Sequence, residues 1–382
     1  MLFSTPEADE RELEVLAQVE SLRVSLRHQL YEPRRWYGPL RRLSAARAIQ
    51  GSNTIEGYDA RLDDAAAIAA GEEPLDADEE TRRALSGYHD AMTYVLQLAD
   101  DEHFSYSAQL IKSLHFMMTS YDLKNRPGRW RPGTIYVRNE DTGQVVYEGP
   151  DPEEVPGLID DLVGYLNEPA PEHDRLVRAG MAHLNLVMIH PFRDGNGRMA
   201  RCLQSLVLAR AGVLAPVFIS IEEYLGRNTQ AYYEVLAQVG RGAWHPDRDA
   251  RPWLRFILTA HLRQARTMLR RIKETERLWM DLEEMTRRRG YPERMLVTLY
   301  DAAMGLRVRN ITYRAALEET TGDSITSPTA SRDLQRLSDD GWLIAAGEKR
   351  GRFYTPSPVL RSMRQAIIDA RDDRDDSDPF AS

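Results

Sequence analysis

Cysteine is almost absent from this chain, because its 382 residues include only one, Cys202. A single thiol excludes an intramolecular disulfide and a metal site built from several cysteines, and it favours a reducing compartment. We therefore expect a cytoplasmic protein. Cys202 falls inside a helical pattern, where cysteine usually serves as a small buried hydrophobe rather than as a nucleophile.

Long hydrophobic runs are missing as well. No window reaches the ~18 uninterrupted apolar residues that a membrane helix needs. The acidic N-terminus lacks the basic and then apolar segments of a secretory signal. No membrane partner is therefore expected. A positive charge excess is absent too, since the net charge of −9 excludes a uniformly basic coat for nucleic acid.

The charge is unevenly distributed along the chain. Between Thr286 and Arg364 there are 14 basic against 9 acidic side chains, a local excess of five positive charges that indicates a separate module. The final residues 371–382, RDDRDDSDPFAS, are acidic and poor in apolar side chains. This composition predicts a disordered acidic tail.

Helical periodicity dominates the rest, so the predicted fold is mainly α. A later helix contains TQAYYEVLAQV, and Pro252 opens a long helix that continues to Arg289. The exception is the segment 134–147, where TIYV and QVVY predict a β-hairpin whose edge could accept an extended peptide. Earlier helices are predicted at 8–31, 40–55, 79–100 (with Asp76 or Asp78 as N-cap), 107–120, 155–167 and 174–189.

The segment beyond residue 290 predicts three short helices followed by two strands, GWLIAAG and RGRFYTP. This order is typical of a winged helix-turn-helix, with residues 329–337 as the recognition-type helix. Arg332 and Arg336 could contact DNA phosphates, but Asp333 argues against this, so protein binding or dimer positioning is at least as well supported. The predicted domains are a helical region at 1–104, a catalytic core at 105–250, a connecting helix at 251–289, the winged helix at 290–370 and the tail at 371–382.

The stretch HPFRDGNGRMAR, residues 190–201, carries the chemistry. Gly195, Asn196 and Gly197 precede the first turn of a predicted helix, where free backbone N–H groups form an anion site. Arg198 and Arg201 lie three positions apart and therefore share a helix face. An anion site beside two arginines suits a polyphosphate better than a single carboxylate.

Two further side chains complete this corner. Asp194 precedes the anion site, and a carboxylate beside several phosphates is a usual ligand of Mg²⁺. His190 has a side chain suited to accepting a proton near neutral pH. Each feature alone is common in purely structural turns. Together they predict the transfer of a phosphorus-containing group to an incoming hydroxyl.

The same stretch resembles the signature of the Fic-domain family, His-x-Phe-x-(Asp/Glu)-Gly-Asn-Gly-Arg-x-x-Arg, and every defined position matches. The resemblance implies a Fic-type helical core that transfers AMP from ATP to a Ser, Thr or Tyr hydroxyl of a target protein. It implies a target docked on the hairpin 134–147 as a flap. The implied roles are general base for His190, Mg²⁺ ligand for Asp194, phosphate contacts for Gly195, Asn196 and Gly197, β/γ-phosphate contacts for Arg198 and Arg201, packing for Phe192, and adenine contacts for Tyr232 and Tyr233.

A second stretch, GSNTIEG, resembles the family's inhibitory pattern (Ser/Thr)-x-x-x-Glu-(Gly/Asn) at Ser52, Glu56 and Gly57. The resemblance implies an N-terminal inhibitory helix on which the Glu56 carboxylate pairs with Arg201 and denies that arginine to the γ-phosphate. In some relatives this glutamate also supports removal of AMP from the target, and the sequence leaves that activity open.

Two rival functions stay open at this point. One is a DNA-binding transcriptional regulator whose core only senses nucleotide. The other is a kinase, or a nucleotidyltransferase with a different donor. The identity of the target and the formation of a homodimer are likewise left open by the sequence.

Overall fold

The structure, a computed structural model, describes residues 1–31, 34–138, 143–169, 175–212, 218, 220–373 and 375–381. It is mainly helical, as the sequence predicts. The helices of the first two thirds are α1 (Glu10–Tyr31), α2 (Tyr37–Thr54), α3 (Leu62–Ala69), α4 (Glu79–Leu98), α5 (Ala108–Thr119), α6 (Val155–Asn167), α7 (Arg175–Ile189), α8 (Asn196–Arg210), α9 (Glu222–Arg227) and α10 (Thr229–Gly240). Those of the last third are α11 (Arg251–Arg289), α12 (Met295–Ala303), α13 (Asn310–Thr321), α14 (Ser327–Asp339) and α15 (Pro358–Asp369).

Side-chain caps set the start of several helices where the sequence predicts them. The carboxylate of Asp78 accepts a hydrogen bond from the Thr81 N–H at 2.7 Å, so Asp78 rather than Asp76 caps α4. Ser107 caps α5 in the same way through the Leu110 N–H. These bonds satisfy N–H groups that have no carbonyl partner in the first turn.

Helices α7 and α8 form the centre of the core. Both are buried on nearly all sides, since α8 is covered by α2, α4 and α5 and α7 by α6 and α11. Cys202 is fully buried in α8, as predicted, and burial raises the pKa of its thiol. The turn between these two central helices therefore starts and ends on rigid elements.

The predicted hairpin is present and is anchored through its second strand. Strands β1 (Tyr136–Arg138) and β2 (Val145–Glu148) pair antiparallel, and β2 pairs in parallel with β3 (Gly242–Ala243). The buried Tyr147 donates a hydrogen bond to the Met188 carbonyl at 2.7 Å, which fixes β2 to α7. This leaves β1 as the edge strand. Residues 139–142 at the tip lie outside the described residues.

The C-terminal region has the predicted order of three helices, α12 to α14, followed by the antiparallel strands β4 (Leu343–Ala346) and β5 (Phe353–Pro356). Asp333 is buried and pairs with both donor nitrogens of Arg294 at 2.6 and 2.9 Å. Arg332 and Arg336 are exposed on the same helix. The winged-helix assignment and the domain limits remain predictions.

Helix α2 packs directly against this C-terminal region as well as against the core. The guanidinium of Arg42 donates to both carboxylate oxygens of Asp301 at 2.7 and 2.8 Å, and both side chains are buried. Farther along α2, the backbones of Gly51 and Gly226 touch, since a Cβ on Gly226 would lie 2.7 Å from the Gly51 Cα. Two points therefore fix α2, one at each end.

The Arg42–Asp301 pair predicts a large effect on stability. We expect Arg42→Met to lower the free energy of unfolding by about 3–5 kcal/mol, because it leaves the Asp301 carboxylate buried without its partner. Adding Asp301→Leu should recover most of that loss. Urea denaturation of the three proteins measures both changes. A double variant no more stable than the single one would show that the pair is not the cause.

The acidic tail differs from the sequence prediction of disorder. Its described residues lie along α11, where Asp375 pairs with Arg266 at 2.6 Å and Phe380 lies against Arg255. The physical reason is charge complementarity, because the aspartates face a row of arginines that the local composition does not reveal. Among the described residues, no helix is both long enough and apolar enough to cross a membrane.

Candidate active site

His190 stands at the end of α7 in a left-handed conformation, with φ of 51°. Its Nδ1–H donates to the Val187 carbonyl at 3.0 Å, so Nε2 is left as the proton acceptor. Burial lowers the pKa of His190, which keeps the imidazole neutral near pH 7. A left-handed histidine is sparsely populated, and such strain is typical of functional turns.

Arg131 holds the backbone of this turn and was not predicted as a site residue. Its guanidinium donates to the carbonyls of His190, Gly133 and Pro150, and its backbone N–H donates to the Pro191 carbonyl. The side chain is 4% exposed. One arginine therefore joins the catalytic turn to the base of the hairpin. Nothing in the local sequence RWRPG distinguishes Arg131 from its neighbours.

Two hydrogen bonds between Asn196 and Phe192 close the turn. The Asn196 side chain accepts from the Phe192 N–H at 2.9 Å and donates to the Phe192 carbonyl at 3.0 Å. The amide oxygen and one amide N–H are therefore engaged within the turn. A phosphate contact of Asn196, through its backbone N–H or its second amide N–H, remains a prediction. Phe192 is fully buried, in keeping with a packing role.

His115 supports the same turn from α5 and was also missed. Its ring stacks on Phe192 with centroids 3.6 Å apart and an interplanar angle of 1°. Nδ1 accepts from the Gly128 N–H, so Nε2–H donates to the Asp194 carbonyl at 2.9 Å. Burial lowers the pKa of His115 to about 4, and the ring stays neutral. It positions Asp194 rather than exchanging protons.

The Asp194 carboxylate is half-buried at the mouth of the turn. One oxygen accepts from the Gly195 N–H at 2.7 Å and the other from the Asn125 amide at 3.2 Å. No group of three or more metal-binding side chains occurs within the described ranges. Mg²⁺ commonly needs only one or two carboxylates beside substrate phosphates and water, so a lone oriented carboxylate fits that ion.

The anion site lies directly after Asp194, at the N-terminus of α8. Gly195 takes φ of 75° and precedes α8, and no described side chain caps the N-terminus of this helix. A Cβ on Gly197 would collide with the Glu56 carboxylate, so glycine is needed here for an anion to approach. The free N–H groups of the first turn and the helix dipole both favour negative charge at this point.

Arg198 and Arg201 are both 1% exposed and line the same site. Arg198 donates to the Tyr121 hydroxyl at 3.3 Å and lies over the Tyr58 ring. Arg201 donates through Nε to the Ser52 hydroxyl at 2.7 Å and through Nη2 to the Ser52 carbonyl at 2.9 Å. Within the described part of the chain, Nε of Arg198 and Nη1 of Arg201 are buried without a hydrogen-bond acceptor.

Glu56 comes from the turn after α2 and reaches this cluster. Its Oε1 accepts from Arg201 Nη2 at 2.7 Å, while its side chain is 19% exposed. Burial would raise the pKa of Glu56, but the charges of Arg201 and Arg198 outweigh it and hold the pKa below the ordinary value. Gly57 follows with φ of 82° and lets the chain reverse after the carboxylate.

Tyr232 and Tyr233 are neighbours in the sequence but occupy different environments. Tyr232 is 1% exposed and bonds to His183 Nε2 at 3.0 Å, so it belongs to the core and cannot stack on an adenine here. Tyr233 is 47% exposed and donates to the Ile55 carbonyl at 2.9 Å. Neighbouring helix positions point about 100° apart, which explains why one side chain of the pair is buried and the other is half exposed. The adenine contact of Tyr233 remains a prediction.

The comparisons with known proteins agree with this geometry. Residues 105–208 match the Fic/DOC family. Protein adenylyltransferase Fic of Nematostella vectensis is 29% identical over 216 residues, 55% of this chain and 45% of that protein. Protein adenylyltransferase fic-1 of Caenorhabditis elegans is 32% identical over 162 residues, 42% of this chain and 28% of that protein. The chain therefore spans less than half the length of these curated relatives.

The fold is shared over a larger part of the chain. A Fic family protein from Desulfovibrio desulfuricans G20 superposes with a TM-score of 0.57 at 20% identity, covering 93% of this chain and 98% of that one. At this identity the likeness concerns the fold. Residues 105–208 therefore resemble the Fic/DOC family, and the chain shares the fold of a Fic family protein.

Proposed function

We propose that this protein is a protein adenylyltransferase that transfers AMP from ATP to a hydroxyl of a target protein. The observation that carries the proposal is the pair of buried guanidinium groups with unused N–H donors beside an uncapped helix N-terminus. Such donors need an anion with several oxygens. The named activity of the Nematostella and Caenorhabditis relatives supports the same reaction.

The chemistry follows from the residues around the turn. The target hydroxyl attacks the α-phosphorus, a new O–P bond forms, the bond to the β-phosphate bridging oxygen breaks, and pyrophosphate leaves. His190 Nε2 accepts the hydroxyl proton, since Nδ1 is held by Val187. Gly197 N–H, Arg198 and Arg201 hold the phosphates in place. Asp194 would hold Mg²⁺, which neutralises developing phosphate charge.

The target segment is best placed along the edge of the hairpin. Strand β1 has no neighbour on its outer side within the described residues, and Tyr136 on it is 47% exposed. An extended peptide can add to such an edge through backbone hydrogen bonds, which do not depend on its sequence. Since Arg131 joins the hairpin base to His190, a peptide held there would be fixed relative to the base.

Glu56 acts in this proposal as an internal competitor of the nucleotide. Its carboxylate lies against Gly197 and uses Arg201 Nη2, which are two contacts that the terminal phosphates need. A carboxylate fixed in the chain competes at a high effective concentration. The enzyme in this conformation is complete and inhibited.

Labelled ATP tests the reaction class. The Glu56→Gly variant is incubated with host lysate and ATP labelled at either the α- or the γ-phosphate. We expect protein labelling from the α-label alone. Labelling from the γ-label would identify a kinase instead. Sequence-specific DNA binding without any protein labelling would favour the transcriptional regulator. The burial of Asp333 against Arg294 gives that function no specific support.

The pKa of His190 predicts the pH profile. Only the neutral imidazole can accept a proton, and burial lowers its pKa from the ordinary value of 6.5. We therefore expect the transfer rate of Glu56→Gly to stay level from about pH 8 down to about 6.5 and to fall only below that. The negative charge of Glu56 favours the protonated form of His190. Removing Glu56 therefore lowers the pKa of His190 further. An acidic decline centred above pH 6.5 would contradict this.

A further inference from the structure

A groove outside the catalytic corner is lined by many charged side chains, and outside the C-terminal tail most of these are basic. It has a volume of about 970 Å³ and lies between α11, α9 and α15, with the acidic tail as one wall. Apart from the tail, its charged lining consists of three acidic residues and six basic ones. The basic ones are Arg227, Arg263, Arg266, Arg270, Lys273 and Arg277.

The tail runs antiparallel to α11 along this groove. Arg371 pairs with both carboxylate oxygens of Glu274 at 2.6 and 2.7 Å, and at the far end Phe380 lies 5.2 Å from the Arg255 guanidinium. The described residues 371–373 and 375–378 form no helix or strand and follow α11, and a turn then begins in which the Ala381 N–H donates to the Asp378 carbonyl.

The contacts recognise a peptide and not only its charge. Arg266 pairs with the Asp375 carboxylate at 2.6 Å. Arg263 Nη2 instead donates to the backbone carbonyls of Asp376 and Ser377, at 2.6 and 3.3 Å. Arg11 on α1 donates to the Pro379 carbonyl at 2.7 Å. Backbone carbonyls and an aromatic end are features of a polypeptide, whereas a nucleic acid would offer phosphates and bases.

The bound tail has the properties of a replaceable ligand. Its composition gives it no core of its own, so its order depends on α11. The pair of Asp375 and Arg266 has side chains 55% and 39% exposed, and exposed ion pairs are individually weak. The tail residues that line the groove, Arg371 and the aspartates 372, 373, 375 and 376, carry a net charge of −3, which offsets the excess of three positive charges in the rest of the groove.

We propose that this groove is a docking site for an extended acidic segment of a partner protein, and that residues 372–380 are its built-in competitor. The segment it fits carries an acidic pair with an aromatic residue four positions beyond it, the spacing of Asp376 and Phe380. The site is separate from the nucleotide corner. Peptide binding to the groove is measured without ATP. The docking proposal and the adenylyltransferase proposal can therefore fail independently of each other.

Fluorescence anisotropy with a labelled peptide of the sequence of residues 370–382 tests the proposal. The full chain is compared with the variant Asp372→Asn/Asp373→Asn/Asp375→Asn/Asp376→Asn, whose own tail is neutralised. We expect the neutralised variant to bind the peptide about tenfold more tightly, because the native tail competes at high effective concentration. The matched control is the same peptide with its four aspartates at 372, 373, 375 and 376 replaced by asparagine, which should not bind.

A second test reverses the charge of two arginines in the groove. In the neutralised background, Arg263→Glu/Arg266→Glu should weaken peptide binding at least tenfold. Equal affinity of the native and neutralised chains would overturn the proposal. So would tighter binding of a single-stranded DNA 12-mer than of the peptide, which would make the groove a nucleic-acid site.

Hydrogen exchange on the unmodified chain gives a readout that needs no variant. An excess of the acidic peptide should speed exchange at the backbone amides of Ser377, Phe380 and Ala381, because their hydrogen bonds within the tail depend on the conformation that α11 holds. Exchange in α7 and α8 should stay unchanged and serves as the internal reference. Unchanged exchange throughout the tail at saturating peptide would overturn the competitor role.

Discussion

The Glu56→Gly variant is expected to transfer AMP about 10–100-fold faster than the native chain. The Glu56 carboxylate makes a charge-assisted hydrogen bond to Arg201 at 2.7 Å, and bonds of this kind contribute about 1.5–3 kcal/mol. Removing the side chain frees Arg201 Nη2 and clears the surface of Gly197 at the same time. The initial rate of protein labelling from α-labelled ATP measures the effect.

A conservative variant separates charge from shape. Glu56→Gln keeps the volume beside Gly197 but removes the charge, so we expect a rate between those of the native chain and Glu56→Gly. Glu80→Gln, an exposed glutamate at the start of α4, is the matched control and should leave the rate unchanged. A Glu56→Gly rate within twofold of the native rate would remove the inhibitory role.

Replacing His190 is expected to lower the transfer rate, and by a larger factor than Glu56→Gly raises it. In the Glu56→Gly background, His190→Ala should lower the transfer rate by about 10²–10⁴, the usual contribution of a general base. The affinity for ATP should change little, because the imidazole accepts the hydroxyl proton and does not hold the phosphates. Labelling rates and calorimetric titration with ATP measure the two quantities separately.

The left-handed backbone at His190 calls for a second variant. Alanine is strained at φ of 51°, whereas asparagine tolerates this region. If His190→Asn is as inactive as His190→Ala, the loss comes from the missing base and not from a distorted turn. His103→Ala, at an exposed position, should be fully active. Loss of ATP binding together with transfer would assign His190 a structural role instead.

The sequence predicts the helical class, the hairpin and the catalytic corner because each depends on local patterns. The twelve residues from His190 to Arg201 are contiguous, and the spacing of Ser52 and Glu56 falls within one helical turn. Asp78 and Ser107 likewise cap the helices that follow them at short range. Information of this kind is carried by neighbouring residues.

The positioning residues could not be predicted because they act across the fold. Arg131 and His115 contact the turn only after the hairpin base and α5 have packed on it, and neither lies in a distinctive motif. The burial of Tyr232 depends on which side of α10 meets the core. The order of the tail depends on arginines more than 100 residues away in the chain, so composition alone indicates disorder.

The double fixation of α2 has a mechanical consequence. Its 18 residues form a rod about 27 Å long, held at Arg42 near one end and at Gly51 near the other. Glu56 lies in the turn directly after this rod, five residues beyond Gly51. A displacement of the C-terminal region that acts through Asp301 therefore reaches the Glu56 carboxylate along α2 only if the Gly51–Gly226 contact also moves.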